Sequence, residues 1–271
     1  LCSSLFFFAM ITHPDNSTPR NSVCPLPQES PPITLLICRR SLLIGGSAFF
    51  AAAPFIKRAR AGTVTQTIGS SGRDFSTPQA WWDALPANLV TDGNNYIGSM
   101  YADSEFTGTT ALLNATGKTV DATHTITLKA ASGQSGFSRT NALRYNAANG
   151  VAITSSVAGG GLGGTIIIDN NYVTLEGLQI NNTAASGLYT VYVTPSDSVG
   201  FLMQSCVLFG SGRVLGAYVG NCYNCVFQLI GGSGSANMIA ELINGTFNLN
   251  YCDFVSGSDV GAPTFGIYGE G

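Results

Sequence analysis

Charged side chains are scarce in this 271-residue chain, where Asp, Glu, Lys and Arg together make up 10%. A helical protein of this size carries more Lys, Glu and Arg than that. Histidine is rarer still, with only His13 and His124. A Ser-His-Asp site past residue 61 therefore has one candidate base, and His124 stands just ahead of a short apolar strand, where a lone His is ordinarily a turn or surface residue. A membrane span needs about 20 apolar residues. The apolar run from Ser41 to Ile56 has sixteen and contains Gly45, Gly46 and Pro54. No basic stripe interleaved with aromatics is present either, which excludes nucleic acid as a partner. What the chain has in quantity is Gly, 33 residues, alongside Ser, Thr, Asn and short β-branched runs. That composition predicts an all-β chain with tight turns.

The charge and proline are unevenly distributed. Residues 1–61 hold six basic and two acidic side chains and seven of the eleven prolines, so the remainder carries six basic and thirteen acidic groups, net −7. The stretch up to Pro32 has no apolar period and is expected to be disordered. Arg39 and Arg40 then precede the apolar run, which is followed by Lys57, Arg58 and the small-x-small sequence Ala59-Arg60-Ala61. Positive region, apolar core and cleavage site in that order predict an export signal cut after Ala61. The paired arginines resemble a twin-arginine signal, although Cys38 and Ile44 depart from its usual pattern. A polyanionic ligand of the acidic remainder would need a bridging cation.

Four segments align without gaps: Val173–Ile180, Phe201–Leu208, Gly220–Phe227 and Phe247–Phe254. In each, alternation at positions 1 and 3, a two-residue polar bend and alternation at positions 6 and 8 describe two short strands around a corner. The inward columns read Leu175, Met203, Cys222, Leu249 and, past the bend, Leu178, Cys206, Cys225, Cys252. Ile126–Leu128 and Val151–Ile153 read as the second strand of earlier rungs. Bounded but unequal spacing of this kind is expected of a stacked coil whose corner loops vary while its strands must pair. Ahead of it, Ser76, Thr77 and Pro78 open a helix to about Leu85, with Ser76 and Gln79 as a capping box and Trp81 or Trp82 with Leu85 plugging the first rung.

On these segments the chain resembles right-handed parallel β-helix proteins, the architecture shared by pectate lyases, phage tailspikes and many exported or phage-associated proteins. The resemblance implies an all-β right-handed solenoid over residues 96–271 and a strand-and-helix cap over 62–95, behind the leader and export signal read over 1–61. The last residues, Phe265–Gly271, read as the start of another rung, so the far end is expected to continue or to be covered by a partner.

Several groups carry chemistry. Cys222 and Cys225 form a C-x-x-C pair, but without a second pair or a helix start they read as free thiols in the core. Gly159, Gly161 and Gly164 match a nucleotide fingerprint but run into Thr165–Ile168, a strand, so they read as a corner loop. Asp169 and Asp197 each stand nine residues before Leu178 and Cys206, which places them on successive rungs about 4.8 Å apart. One reading has each Asp capping its own turn. The other makes them a catalytic pair or, with Asn170, a Ca²⁺ site, with Glu176 adding oxygen. The clustered Asp, His and Arg of pectate lyases and polygalacturonases are absent, and no basic residue is locatable beside Asp169: Arg213 reads as loop, and Lys129, Arg139 and Arg144 as earlier rungs.

The expectation is therefore a non-catalytic, exported or virion-associated protein that recognises a polysaccharide or cell-surface glycan or serves structurally. Its outward column Glu176, Gln204, Tyr223, Asn250 and exposed tyrosines are the candidate binding residues. The alternatives are a polysaccharide lyase or glycosidase centred on Asp169 and Asp197, and a subunit of a homotrimeric fibre or end-to-end assembly.

Overall fold

The computed structural model of the protein describes residues 61–137, 144–157, 163–184, 188–194, 198–229, 238–243, 246–256 and 267–270. The chain enters as β1 (Gly62–Ile68), passes through α1 (Pro78–Ala84) and α2 (Leu89–Asp92), and pairs with β1 in parallel as β2 (Asn94–Met100). From there strands follow in rotation. The first triplets are β3 (Phe106–Gly108), β4 (Leu113–Thr116) and β5 (Ile126–Ala130), then β6 (Ala152–Ser155), β7 (Gly164–Asp169) and β8 (Val173–Glu176). Next come β9 (Gln179–Asn182), β10 (Tyr189–Val193) and β11 (Leu202–Gln204), then β12 (Val207–Gly210), β13 (Arg213–Ala217) and β14 (Gly220–Tyr223). The last are β15 (Val226–Leu229), β16 (Met238–Ile243), β17 (Phe247–Asn250), β18 (Asp253–Ser256) and β19 (Ile267–Glu270).

Three sheets result, each wholly parallel. The first runs β1-β2-β5-β8-β11-β14-β17, the second β4-β7-β10-β13-β16-β19, and the third β3-β6-β9-β12-β15-β18. Parallel strands need crossovers, and from β2 onward each crossover is made of the strands of the other two sheets, whereas α1 and α2 make the one between β1 and β2. The sheets share one core. In the third sheet Phe106, Ile153, Ile180, Leu208, Phe227 and Phe254 stand in a single register column, and all but Phe254 are buried. In the first sheet Leu128, Leu175, Met203, Cys222 and Leu249 form another. Such columns bury apolar surface only by mutual cover, so stability accumulates between neighbouring rows.

One strand assignment is corrected. Ile126–Leu128 is not a second strand: Ile126 pairs with Val173 and Leu128 with Leu175, in the first sheet, and Phe106 heads the third-sheet column. The second sheet was also missed as a repeating member, because loops of differing length lead into it. The terminal segment expected to start a further rung supplies β19, which pairs with β16.

The corner between first and third sheets has a local cause. Gly177, Ser205, Asn224 and Tyr251 occupy it in successive rows with φ of 71°, 51°, 55° and 54°. A left-handed residue at that point turns the chain within two residues, and the corner amides continue the ladder: Gly177 N–H donates to Gln204 O, Ser205 N–H to Tyr223 O and Asn224 N–H to Asn250 O. Only Gly takes this conformation without steric cost, and Asn with little.

At the N-terminal end α1 is capped by Thr77, not Ser76: the Thr77 hydroxyl accepts from Ala80 N–H at 3.1 Å. Pro78 fills the first helical position, where its missing N–H has no helical partner to lose. Both tryptophans, not one, are buried with Leu85. Each indole N–H is satisfied, Trp81 by Gln66 Oε1 and Trp82 by the Thr116 carbonyl, both at 3.0 Å. Gly98 in β2 is a packing requirement, since a Cβ there would lie 2.8 Å from the Trp81 ring. Among the described residues no helix is long and apolar enough to cross a membrane. The leader and export signal expected over residues 1–61 lie, up to residue 60, outside the described residues.

Candidate functional site

Asp169 ends β7, and its in-register neighbour on β4 is Thr116. On the other side Thr194 N–H donates to Ile168 O, which brings the Thr194 side chain beside the carboxylate. Asp169 accepts from both hydroxyls, Thr194 at 2.5 Å and Thr116 at 3.3 Å. The side chain is thus tied to neighbouring rows, a role that differs from capping its own turn. Asp197 lies outside the described residues, as do Gly159, Gly161 and Arg139. Asn170 is buried and hydrogen-bonded at both ends of its amide: its Oδ1 accepts from Lys118 N–H at 2.8 Å and its Nδ2 donates to Asn171 O at 3.2 Å. Asn171 Oδ1 in turn accepts from Val199 N–H at 2.8 Å.

Lys118 is the residue the sequence did not bring forward. It follows β4 in a loop, and its ammonium donates to the Leu85 carbonyl at 2.7 Å. With Thr116, Asp169, Asn170 and Asn171 it lines a cleft of about 410 Å³. Burial pushes the Lys118 ammonium below its usual range, partly offset by the charge of Asp83. Lys118 and Asp169 thus line one polar cleft, a pairing invisible in a sequence where 51 positions separate them. Arg213, read as loop, begins β13, where its guanidinium donates to Tyr189 Oη at 2.8 Å.

The column Glu176, Gln204, Tyr223, Asn250 stands in register along the first sheet, and the structure adds Lys129 ahead of it. Tyr223 is 42% exposed, and Tyr251, on the adjacent corner, is 91% exposed. Rows about 4.8 Å apart make this a regular polar ladder with aromatic rings at one end.

Cys206, Cys222, Cys225 and Cys252 are free thiols. Cys206 Sγ lies 3.4 Å from Gln204 O, Cys225 Sγ 3.4 Å from Tyr223 O and Cys252 Sγ 3.4 Å from Asn250 O, so each S–H has a backbone acceptor two residues back. Burial, together with the neighbouring Cys225, pushes the Cys222 thiol well above its ordinary value. A protonated, buried thiol is a poor nucleophile. Among the described residues no three His, Cys, Asp or Glu side chains converge as metal ligands. His124 sits in a turn closed on Asp121, with Nδ1 2.8 Å from Asp121 Oδ1. Gly164 opens a strand, not a helix.

The class of molecule is accordingly a mostly-β protein of three parallel sheets threaded in rotation. No family model matches the sequence, and no curated protein or solved structure does so either.

Proposed function

We propose that the three sheets coil as one right-handed parallel β-helix whose outer face recognises glycans, as an exported or surface-associated protein without catalytic activity of its own. Support for the coil is the strict rotation of the chain through the three sheets, and parallel crossovers are right-handed almost without exception. The observation that carries the function is the outward ladder Lys129, Glu176, Gln204, Tyr223, Asn250 beside the exposed Tyr251. Carbohydrate presents donors, acceptors and apolar ring faces at short repeats, and a ladder of amide and carboxylate groups ending in tyrosines offers each counterpart. The test is binding of the full chain to a panel of immobilised neutral, acidic and amine-bearing polysaccharides. Replacing Tyr223 and Tyr251 by Ala together should weaken binding by about tenfold, equivalent to about 1.4 kcal/mol. A chain that binds nothing on the panel, or binds equally after both changes, removes the reading.

Export rests on the paired arginines, apolar run and small-x-small site ahead of Gly62, and is tested by N-terminal sequencing of the secreted product. A homotrimeric fibre subunit would be recognised by its mass in solution.

The cleft favours a second reading. Lys118 and Asp169 on one polar cleft are a base and a carboxylate of the kind a polysaccharide lyase or glycosidase uses, and Ca²⁺ held near Asp169 and Asn170 would neutralise an acidic sugar. Turnover of acidic polysaccharides with and without Ca²⁺, lost in Asp169→Ala and in Lys118→Met, would establish it. Absence of both turnover and a Ca²⁺-dependent melting shift would dismiss it.

A further inference from the structure

A separate cluster lies on the third sheet, away from the cleft and the outward ladder. Glu105 directly precedes β3, and its Oε1 accepts from Tyr145 Oη at 2.6 Å and from Thr154 Oγ1 at 2.5 Å. The Tyr145 ring stacks on Phe209, centroids 5.4 Å apart at 17°. Thr154, Asn181 and Phe209 are consecutive register partners, so the tyrosine spans all three rows. Asn181 between them is 5% exposed, and its Oδ1 has no hydrogen-bond partner. Burial, then the bond to Glu105, pushes the Tyr145 phenol above its ordinary value, so it remains a donor.

Glu105 is thereby held in place by two hydroxyls. Among the described residues the ion pairs are Arg73 with Asp103 and His124 with Asp121, and neither involves Glu105. A carboxylate has about four acceptor positions, and the two hydroxyls occupy one oxygen. Beside it opens a cavity of about 210 Å³, lined by Glu105 itself together with the hydroxyl-bearing residues Ser76, Ser104 and Thr107 and the apolar Phe106 and Leu112. Residues 62–271 carry a net charge of −7, which draws cations toward such a group and repels anions.

We propose that this cavity binds an amine-bearing sugar unit, its ammonium on Glu105 and its hydroxyls on the Ser and Thr wall. The inference rests on the glycan-recognition reading and adds to it both a second site and a ligand class. A fixed carboxylate flanked by hydroxyl groups and two apolar side chains matches a compact polyol with one positive charge. It offers an acidic sugar no cation.

The test is calorimetric titration of the full chain with a glucosamine tetramer, its N-acetylated counterpart, a galacturonate tetramer and a tri-lysine peptide. The glucosamine tetramer should bind best, with affinity falling as salt rises. Glu105→Gln keeps an oxygen for both hydroxyls while removing the charge, and should weaken that binding about tenfold with the melting temperature unchanged. Tyr145→Phe keeps the ring on Phe209 but frees the carboxylate, and should weaken it less. Equal affinity in Glu105→Gln, equal binding of the N-acetylated tetramer, or tighter binding of tri-lysine each overturns the proposal while leaving glycan recognition standing. No binding of any saccharide overturns both.

Discussion

Replacing Ser205 by Gly should stabilise the protein, and replacing Gly177 by Ala should destabilise it, although both residues sit in the same corner column. Ser205 has φ of 51°, and a residue with a Cβ loses roughly 1–2 kcal/mol there relative to Gly. Glycine's greater freedom in the unfolded chain returns about 0.5–1 kcal/mol of that. The long, exposed bond from Asn224 Nδ2 to Ser205 Oγ, 3.3 Å, subtracts little. The net gain is about 0.5–1 kcal/mol, a rise in melting temperature of about 1–4 °C for a chain of this size. At Gly177 the signs reverse. A Cβ would meet Ser135 Oγ at 2.9 Å, and that hydroxyl donates to the Gly177 carbonyl at 3.2 Å, so a hydrogen bond is disturbed besides the backbone cost. The loss should be about 1–3 kcal/mol. Asn224→Gly, at a residue that tolerates φ of 55°, should change stability little. Urea denaturation of the three variants measures the series. A Ser205→Gly protein less stable than the parent, or a neutral Gly177→Ala, would refute the left-handed corner.

Gly98→Ala drives a methyl into the buried Trp81 ring and should cost about 1–3 kcal/mol, read from the same denaturation curves. Acid stability should depend on Asp121. Its carboxyl is held down to about 2, chiefly by the Thr123 hydroxyl and amide, then by His124. Because the folded value is depressed, the stabilisation is present above the unfolded value of about 3.9 and disappears as pH falls through about 2. Asp121→Asn should therefore flatten the melting-temperature profile over that window, and an unchanged profile would count against the turn. Cys206, Cys222 and Cys225 should resist alkylation in the native protein and react on unfolding, as mass spectrometry would show; rapid native labelling would contradict their burial.

The sequence revealed the parts of the fold whose spacing is locally constrained. Between the first and third sheets the left-handed corner leaves no room for insertion from Val173 onward, so Leu175 and Leu178 recur as Met203 and Cys206, then as Cys222 and Cys225, at fixed separation. The polar column Glu176, Gln204, Tyr223, Asn250 was legible for the same reason. Where the corner is enlarged, between Ala130 and Ala152, the pattern breaks, and Ile126 was placed on the wrong strand. The second sheet is entered through loops of unequal length, so Ile166, Val191 and Leu215 stack in space but keep no fixed separation from the first- and third-sheet residues beside them. Asp169 was noticed because charge is rare, but its partners were not. Thr116, Thr194 and Lys118 come from neighbouring rows by register, and register across variable loops has no signature in one sequence. Glu105 and Tyr145 escaped notice for that reason too, being 40 residues apart.

The tight corner has an effect on how such a chain can vary. It works as a gauge: three of its four described occupants are not Gly, yet all hold one backbone geometry, so each row leaves it in the same phase as the row before. Sequence can lengthen or shorten at the other two bends without shifting any side chain between interior and surface. New ligand-contacting loops can therefore be gained or exchanged there one row at a time, while the ladder and the thiol column beside the corner keep their alignment.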